Sequence, residues 1–178
     1  PEFREFERLS TTVINSYLGP RMKMYIHHLQ DRIRQVGVRV EPYITQSNGG
    51  VMSISSTIQT PVQTALSGPS AGVMGAVYVA KAAGFLDIIT YDMGGTSTDV
   101  SLVKDGIAEY TTKRKVCGLP SGVPMIDVHA VGAGGGSIAH IDNAGALKVG
   151  PESAGANPGP VAYNLGNEQP VVTDANLV

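Results

Sequence analysis

The chain of 178 residues has a single cysteine, Cys117, and no tryptophan. One thiol excludes an internal disulfide and fits a reducing, cytoplasmic setting, and a lone cysteine reads as structural rather than nucleophilic. Charge is also scarce: 16% of residues are Asp, Glu, Lys or Arg, with a formal net charge of -2. That balance gives no general attraction to nucleic acid or to an anionic membrane. Basic residues do gather between Arg21 and Arg39 and at Lys113–Lys115, but without interleaved aromatics they read as solvated faces. No apolar run reaches the ~20 residues of a membrane span, and the opening residues do not read as a signal peptide. What is present is a 42% hydrophobic content, sufficient for a core, and 22 glycines. The glycines concentrate in the C-terminal half, in runs that suit turns or ligand loops better than a flexible linker. Pro1 and the closing VTDANLV lead us to expect a piece of a longer polypeptide.

The stretch from Ile88 to Val103, IITYDMGGTSTDVSLV, organises the reading. A buried strand such as Leu86–Tyr91 delivers Asp92 to the edge of a sheet. Gly94 and Gly95 allow a turn close to a bulky anion, with backbone N–H groups exposed and no Cβ in the way. Thr96, Ser97 and Thr98 add hydroxyls, and Asp99 supplies a second carboxylate able to hold magnesium through water. A bare hairpin with a tight Gly-Gly turn is the bland alternative. Two acids bracketing two glycines and three hydroxyls favour the phosphate-sized turn.

Upstream, apolar spacing predicts a helix from Ser10, broken or kinked at Gly19-Pro20. A second helix is expected over Arg21–Val36, burying Met22, Tyr25, Ile26, Leu29 and Ile33. His27 and His28 are adjacent on it, point in different directions and read as surface residues. A strand over Val38–Thr45, a turn at Gln46–Gly50 and a short helix capped by Ser53 and stopped at Pro61 come next. Val62–Leu66 reads as a strand. A helix from Ser67 to Gly84 follows, with small residues Ala71, Gly72, Gly75 and Ala76 suited to close packing and an N-terminus suited to lining a nucleotide cleft.

Beyond Val103, Lys104-Asp105-Gly106 predicts a hairpin, with Ile107–Thr112 pairing back. A strand over Pro124–Val131 is expected to carry Asp127 and His129 on one face. It runs into Gly132–Ser137, GAGGGS. This is not a dinucleotide fingerprint: Ser137 stands at the third-glycine position, and SIAHID reads as strand, leaving no helix to receive a pyrophosphate. Gly134, Gly135 and Gly136 are nonetheless candidates to approach a substrate or phosphate. Asn143–Gly145 turns the chain between Ser137–Asp142 and Ala146–Val149. Asp127, His129, His140, Asp142, Glu152 and Asp174 offer metal ligands, but their spacing is not diagnostic, and each reads individually as structural.

In order, QSNGG, SGPSAG, YDMGGTSTDVSL, DVHAVGAGGGSIAHID, GALKVGPESAGANPGPVAY and VTDAN resemble the blocks of the hydantoinase A and 5-oxoprolinase family, which also includes an acetone carboxylase subunit. The likeness runs from about Glu5 to the end. It implies an α/β, actin-like (ribonuclease H-like) ATPase core, a mixed sheet with flanking helices, here incomplete. Residues 1–60 would form a helical and connecting segment, and 61–178 the ATPase subdomain. By the same resemblance, Asp92 and Asp99 hold hydrated Mg2+ as catalytic and metal-binding residues. Gly94, Gly95, Thr96, Ser97 and Thr98 line the terminal phosphate of ATP, with Gly134–Gly136 as further cofactor-binding candidates. Asp127 and His129 are candidates for a second divalent metal or for the substrate side.

Departures from the chaperone ATPases also matter. Thr96 stands where they have a third glycine, Ser97 at their threonine, and Gly68 at an acid used near the metal. The last change suits phosphate transfer to an organic substrate better than simple ATP hydrolysis. The implied activity is ATP-dependent activation of a cyclic amide or ketone by phosphorylation, with a B-type partner subunit, and with the first phosphate loop and the adenosine-contacting glycines elsewhere in the longer chain. A nucleotide-binding regulatory or assembly module without turnover, or a purely structural domain, is the competing expectation.

Overall fold

The structure, a computed structural model, describes residues 3–178. Helix α1 spans Glu5–Gln35 as one element, passing through Gly19-Pro20 without the expected division. An interior proline removes one helical hydrogen bond and crowds the preceding turn, at about 3 kcal/mol. Packing on both sides of it holds the helix: Ile14 and Ile26 are buried. Before the proline, Ser10 Oγ donates to the Pro120 carbonyl at 2.7 Å and Thr11 Oγ1 accepts from Gly122 N–H at 2.9 Å. Asn15 donates to the Gln59 carbonyl and accepts from Val62 N–H. Of the five residues expected inside on the second half, only Ile26 is fully covered; Tyr25 is exposed.

Strands β1 (Ile44–Thr45) and β2 (Val51–Met52) pair antiparallel across the Gln46–Gly50 turn. The strand expected from Val38 therefore shrinks to its last two residues, because Val38–Glu41 has no neighbour to pair with. Helix α2 (Ile54–Gln59) starts at Ser53, whose Oγ accepts from Ser56 N–H, and ends before Pro61, as expected. Pro61–Thr64 is a 3-10 turn rather than the beginning of a strand; proline lacks the donor a ladder needs but fits a first helical turn. Helix α3 (Ser67–Ala82) buries Ser70, Val73 and Val77 along one face, and Gly84, at φ 85°, closes it. A Cβ placed on Gly68, Gly72 or Gly75 would meet nothing within 4 Å, so these glycines face open space among the described residues, while Ala71 and Ala76 are half-buried.

Strands β3 (Ile88–Met93) and β4 (Thr98–Lys104) frame the Gly94–Ser97 turn. Asp105 and Gly106, both at positive φ, turn β4 into β5 (Ile107–Ala108). Strand β6 (Tyr110–Thr111) follows, and β7 (Arg114–Val116) and β8 (Leu119–Ser121) form a hairpin around exposed Cys117 and Gly118. The strand expected over Pro124–Val131 is two: β9 (Met125–Ile126), paired with β6, and β10 (Val128–Val131), paired with β4. The ladder changes partner at Asp127, so period-two alternation does not carry from Asp127 to His129. Strands β11 (Ser137–Ile141) and β12 (Leu147–Ser153) form the last hairpin, with Asp142 Oδ1 accepting the Ala144 and Ala146 amides in its turn. A four-residue helix, α4 (Val172–Ala175), lies near the end. The architecture is mixed α/β, and among the described residues no helix is long and apolar enough to cross a membrane.

Packing groups these elements into two compact units that do not follow the division expected between residues 60 and 61. One comprises the chain up to Ile88 together with Val103–Asp127, and the other Ile89–Leu102 with Val128–Val178. The first has an apolar core that includes Ile14, Ile26, Met52, Ile54, Val62, Val77 and Met125. In the second, the buried apolar side chains among the described residues are Val128, Pro160 and Val171, alongside buried Thr98, Ser101 and Ser137. Its interior is built of hydroxyls and glycine backbone, so hydrogen bonds set its geometry more than apolar burial does.

Candidate functional site

The second unit contains both the β3–β4 turn and the triple-glycine run. Gly94 N–H donates to the Ser97 carbonyl at 2.9 Å and closes the turn. Asp92 and Asp99 each stand two residues out from that bond, one on either strand, and an antiparallel hairpin closed there sets the two carboxylates opposite each other on one face. Gly94, Gly95 and Thr96 are exposed, Ser97 is half-buried and Thr98 is buried, its hydroxyl donating to the Ala133 carbonyl.

Behind the turn lies Gly134–Gly136. Gly135 N–H donates to the Gly94 carbonyl at 2.9 Å and Gly136 N–H to the Gly95 carbonyl at 2.6 Å. A peptide unit is planar and trans, so its N–H points opposite to its C=O. With the Gly94 and Gly95 carbonyls drawn back onto the glycine run, the N–H groups of Gly95 and Thr96 are aimed the other way, and neither finds an acceptor among the described residues. Outward amides on an exposed turn, with hydroxyls beside them, are an arrangement that can accept an anion.

The glycine run has to be glycine because of this approach. A Cβ on Gly134 would lie 2.7 Å from the Gly94 carbonyl oxygen, and one on Gly136 2.9 Å from that of Gly95. The amides of the run are all engaged: Gly134 N–H is taken by Ser137 Oγ at 2.8 Å, and the other two hold the turn. In this arrangement Gly134–Gly136 act by shaping the turn and not by offering their own donors.

The remaining acids and histidines separate. In the β10–β4 register Ala130 faces Asp99 and His129 faces Val100, so His129 lies on the opposite face of the sheet from Asp99. Asp127 belongs to the other unit, where its carboxylate is 3.6 Å from Arg114 and its N–H donates to the Glu109 carbonyl. Asp142 caps its own turn, 3.9 Å from Lys148. Among the described residues no group of three or more His, Cys, Asp or Glu is arranged to hold a metal.

Sequence reasoning set Asp174 aside as one undiagnostic acid, and the structure gives it a defined task. Its Oδ2 accepts from Val171 N–H at 2.9 Å and Val161 N–H at 3.1 Å, and its Oδ1 from Ala162 N–H at 2.9 Å. These bonds, led by that from Ala162, hold its pKa below the ordinary carboxylate value. Beside it, Thr173 donates to the Gly135 carbonyl twice, from N–H and from Oγ1, each at 2.8 Å. The available signal was a threonine and an acid opening a short helical turn, the pattern of a self-capping N-terminus.

Comparison with known proteins follows the same lines. The hydantoinase/oxoprolinase family model matches residues 8–178. The chain belongs to that family. It is 45% identical over 177 residues to the caprolactamase subunit alpha of Pseudomonas jessenii, covering 99% of this chain and 25% of that protein. The crystal structure of ATP-dependent caprolactamase from P. jessenii superposes with a TM-score of 0.84 at 45% identity, over 99% of this chain and 26% of that one. A nucleotide-free acetone carboxylase structure, described under ATP-dependent acetone carboxylation, gives a TM-score of 0.79 at 28% identity, over 99% and 25%. The chain thus spans about a quarter of the length of these family members, and it shares their mixed α/β fold.

Proposed function

We propose that this chain carries a phosphate loop of an ATP-dependent hydantoinase/oxoprolinase-type enzyme, which activates a cyclic amide or a ketone by transferring the terminal phosphoryl group of ATP to its oxygen. The observation that supports this most directly is the pair of outward N–H groups at Gly95 and Thr96, aimed by the bonds behind them. They suit the equatorial oxygens of a migrating phosphoryl group, with Thr96 and Ser97 hydroxyls alongside. Asp92 and Asp99 suit Mg2+, since a pair of carboxylates matches a cation that keeps several waters and takes phosphate oxygens. When bound, Mg2+ neutralises charge on the phosphates. The chain's own part is to orient the terminal phosphate and to hold the carboxylates on one face of the hairpin.

Phosphorylation turns a poor electrophile into one reactive toward water, giving ring opening, or toward a carboxylating partner. The matched caprolactamase is a subunit alpha, which supports a multi-subunit assembly with a B-type partner here. A cytoplasmic setting suits the reduced, exposed Cys117. The test uses the full-length protein with Asp92→Asn: ATP-dependent substrate turnover is expected to fall steeply, and retention of wild-type turnover would refute the phosphate-loop assignment. A protein that binds Mg-ATP but turns over no amide or ketone would instead favour a regulatory module.

A further inference from the structure

The phosphate turn does not shape itself. The Gly94 and Gly95 carbonyls are drawn back by Gly135 and Gly136, and Gly135 is in turn gripped from the far side, where its carbonyl accepts both donors of Thr173. A Cβ on Gly135 would come within 2.9 Å of Thr173 Oγ1, which shows how closely the two segments meet. Thr173 is placed by its neighbour: the Asp174 carboxylate gathers the Val171, Val161 and Ala162 amides and so ties the approach to α4 and the Val161–Tyr163 turn to one point. The Gly136 carbonyl completes the frame by accepting Ala154 N–H at 2.9 Å. Hydrogen bonds therefore run from Thr173 through Gly135 and Gly136 to the turn, and Asp174, the next residue in the chain, anchors Thr173 from behind, all within one compact unit.

We infer that Thr173 and Asp174 are positioning residues of the phosphate turn: through the Gly135–Gly136 peptide they fix the direction in which the Thr96 amide points. Neither side chain touches the turn itself, and the phosphate role of the turn rests on the function proposed above. Thr173 supplies the hydroxyl that takes the second lone pair of the Gly135 carbonyl. Without it the carbonyl side of the Gly135–Gly136 peptide is held by the Thr173 N–H alone, and the peptide gains freedom to rotate. The N–H of that same peptide is Gly136's, so its hold on the Gly95 carbonyl then loosens, and the Thr96 amide loses its set direction.

The experiment compares wild type, Thr173→Val and Thr173→Ser in the full-length protein. Valine keeps the shape and the backbone donor while deleting the hydroxyl, and serine restores it. Thr173→Val is expected to raise the KM for ATP about tenfold, the effect of one lost ligand-orienting bond, with the KM for the organic substrate unchanged and Thr173→Ser close to wild type. Hydrogen exchange of the bonded Gly94 and Gly136 amides, measured without nucleotide, should be faster in the valine variant. Unchanged exchange and unchanged KM for ATP in Thr173→Val would overturn the positioning role, as would a loss that serine does not restore. The exchange readout does not depend on ATP. A wild-type protein that bound no Mg-ATP would sink the phosphate reading while the exchange comparison still decided whether Thr173 orders the turn. Asp174→Ala provides the second variant: faster exchange at both Gly136 and Gly94 is expected, and faster exchange confined to Val161–Val171 would count against its part.

Discussion

Gly94-Gly95 and Gly134–Gly136 are both glycine runs at the ends of strands, and they use glycine for different purposes. The first is exposed: a Cβ on Gly95 would meet nothing within 4 Å, and the space above the turn is open. The second is packed: side chains at Gly134 or Gly136 would strike the backbone of the first, and the missing atoms leave room for another part of the same chain. One run offers amides outward, and the other directs its amides inward to make that possible. A glycine-rich motif therefore does not locate a ligand by composition; which partner fills the space above it does.

The contrast can be broken experimentally. The largest effect is expected at the ligand face: Asp92→Asn in the full-length protein should reduce ATP-dependent turnover by about 10²–10³-fold, the scale of losing one preorganised electrostatic contact, measured as steady-state kcat/KM. Next, Gly134→Ala should destabilise the fold by about 1–3 kcal/mol, because backbone must move to admit the methyl; a denaturant midpoint equal to wild type would mean that the two runs do not meet. Gly95→Ala should reverse the pattern, changing stability by less than about 1 kcal/mol while weakening Mg-ATP binding in calorimetric titration. A third glycine environment, the open stripe on α3, predicts a small gain: Gly72→Ala in this 178-residue chain should stabilise it by about 0.5–1 kcal/mol through helix propensity alone.

The smallest effect concerns the frame behind the packed run. Asp174 has a folded pKa below its unfolded value near 3.9. Its contribution is thus fully present above that unfolded value and is lost as pH falls through the folded one. Urea midpoints from pH 7 down to pH 3 should decline, and Asp174→Asn should show a shallower decline below about pH 4.

Much of the site was legible residue by residue. Asp92, two glycines, three hydroxyls and Asp99 announce a strand–turn–strand because each residue type acts locally: glycine permits the turn, and acids stand where strands meet it. Ser53 as a cap, Asp105-Gly106 as a hairpin and Ser137 opening a strand were readable for the same reason. Elsewhere local rules were overridden. The continuous α1 keeps Pro20 because burial of Ile14 and Ile26 on either side outweighs a local penalty. The Pro124–Val131 segment divides at Asp127 because its two halves find different partners, a choice that no alternation pattern encodes.

By itself, then, the sequence determined that a strand–turn–strand stands here, which residues compose it and which family the chain belongs to, since spacing and residue type are one-dimensional properties. Only the tertiary structure decided which way the turn faces. Peptide planes are oriented by whatever binds their carbonyls, and here the binding groups, Gly135 and Gly136, held in place by Thr173 and Asp174, come from distant parts of the chain.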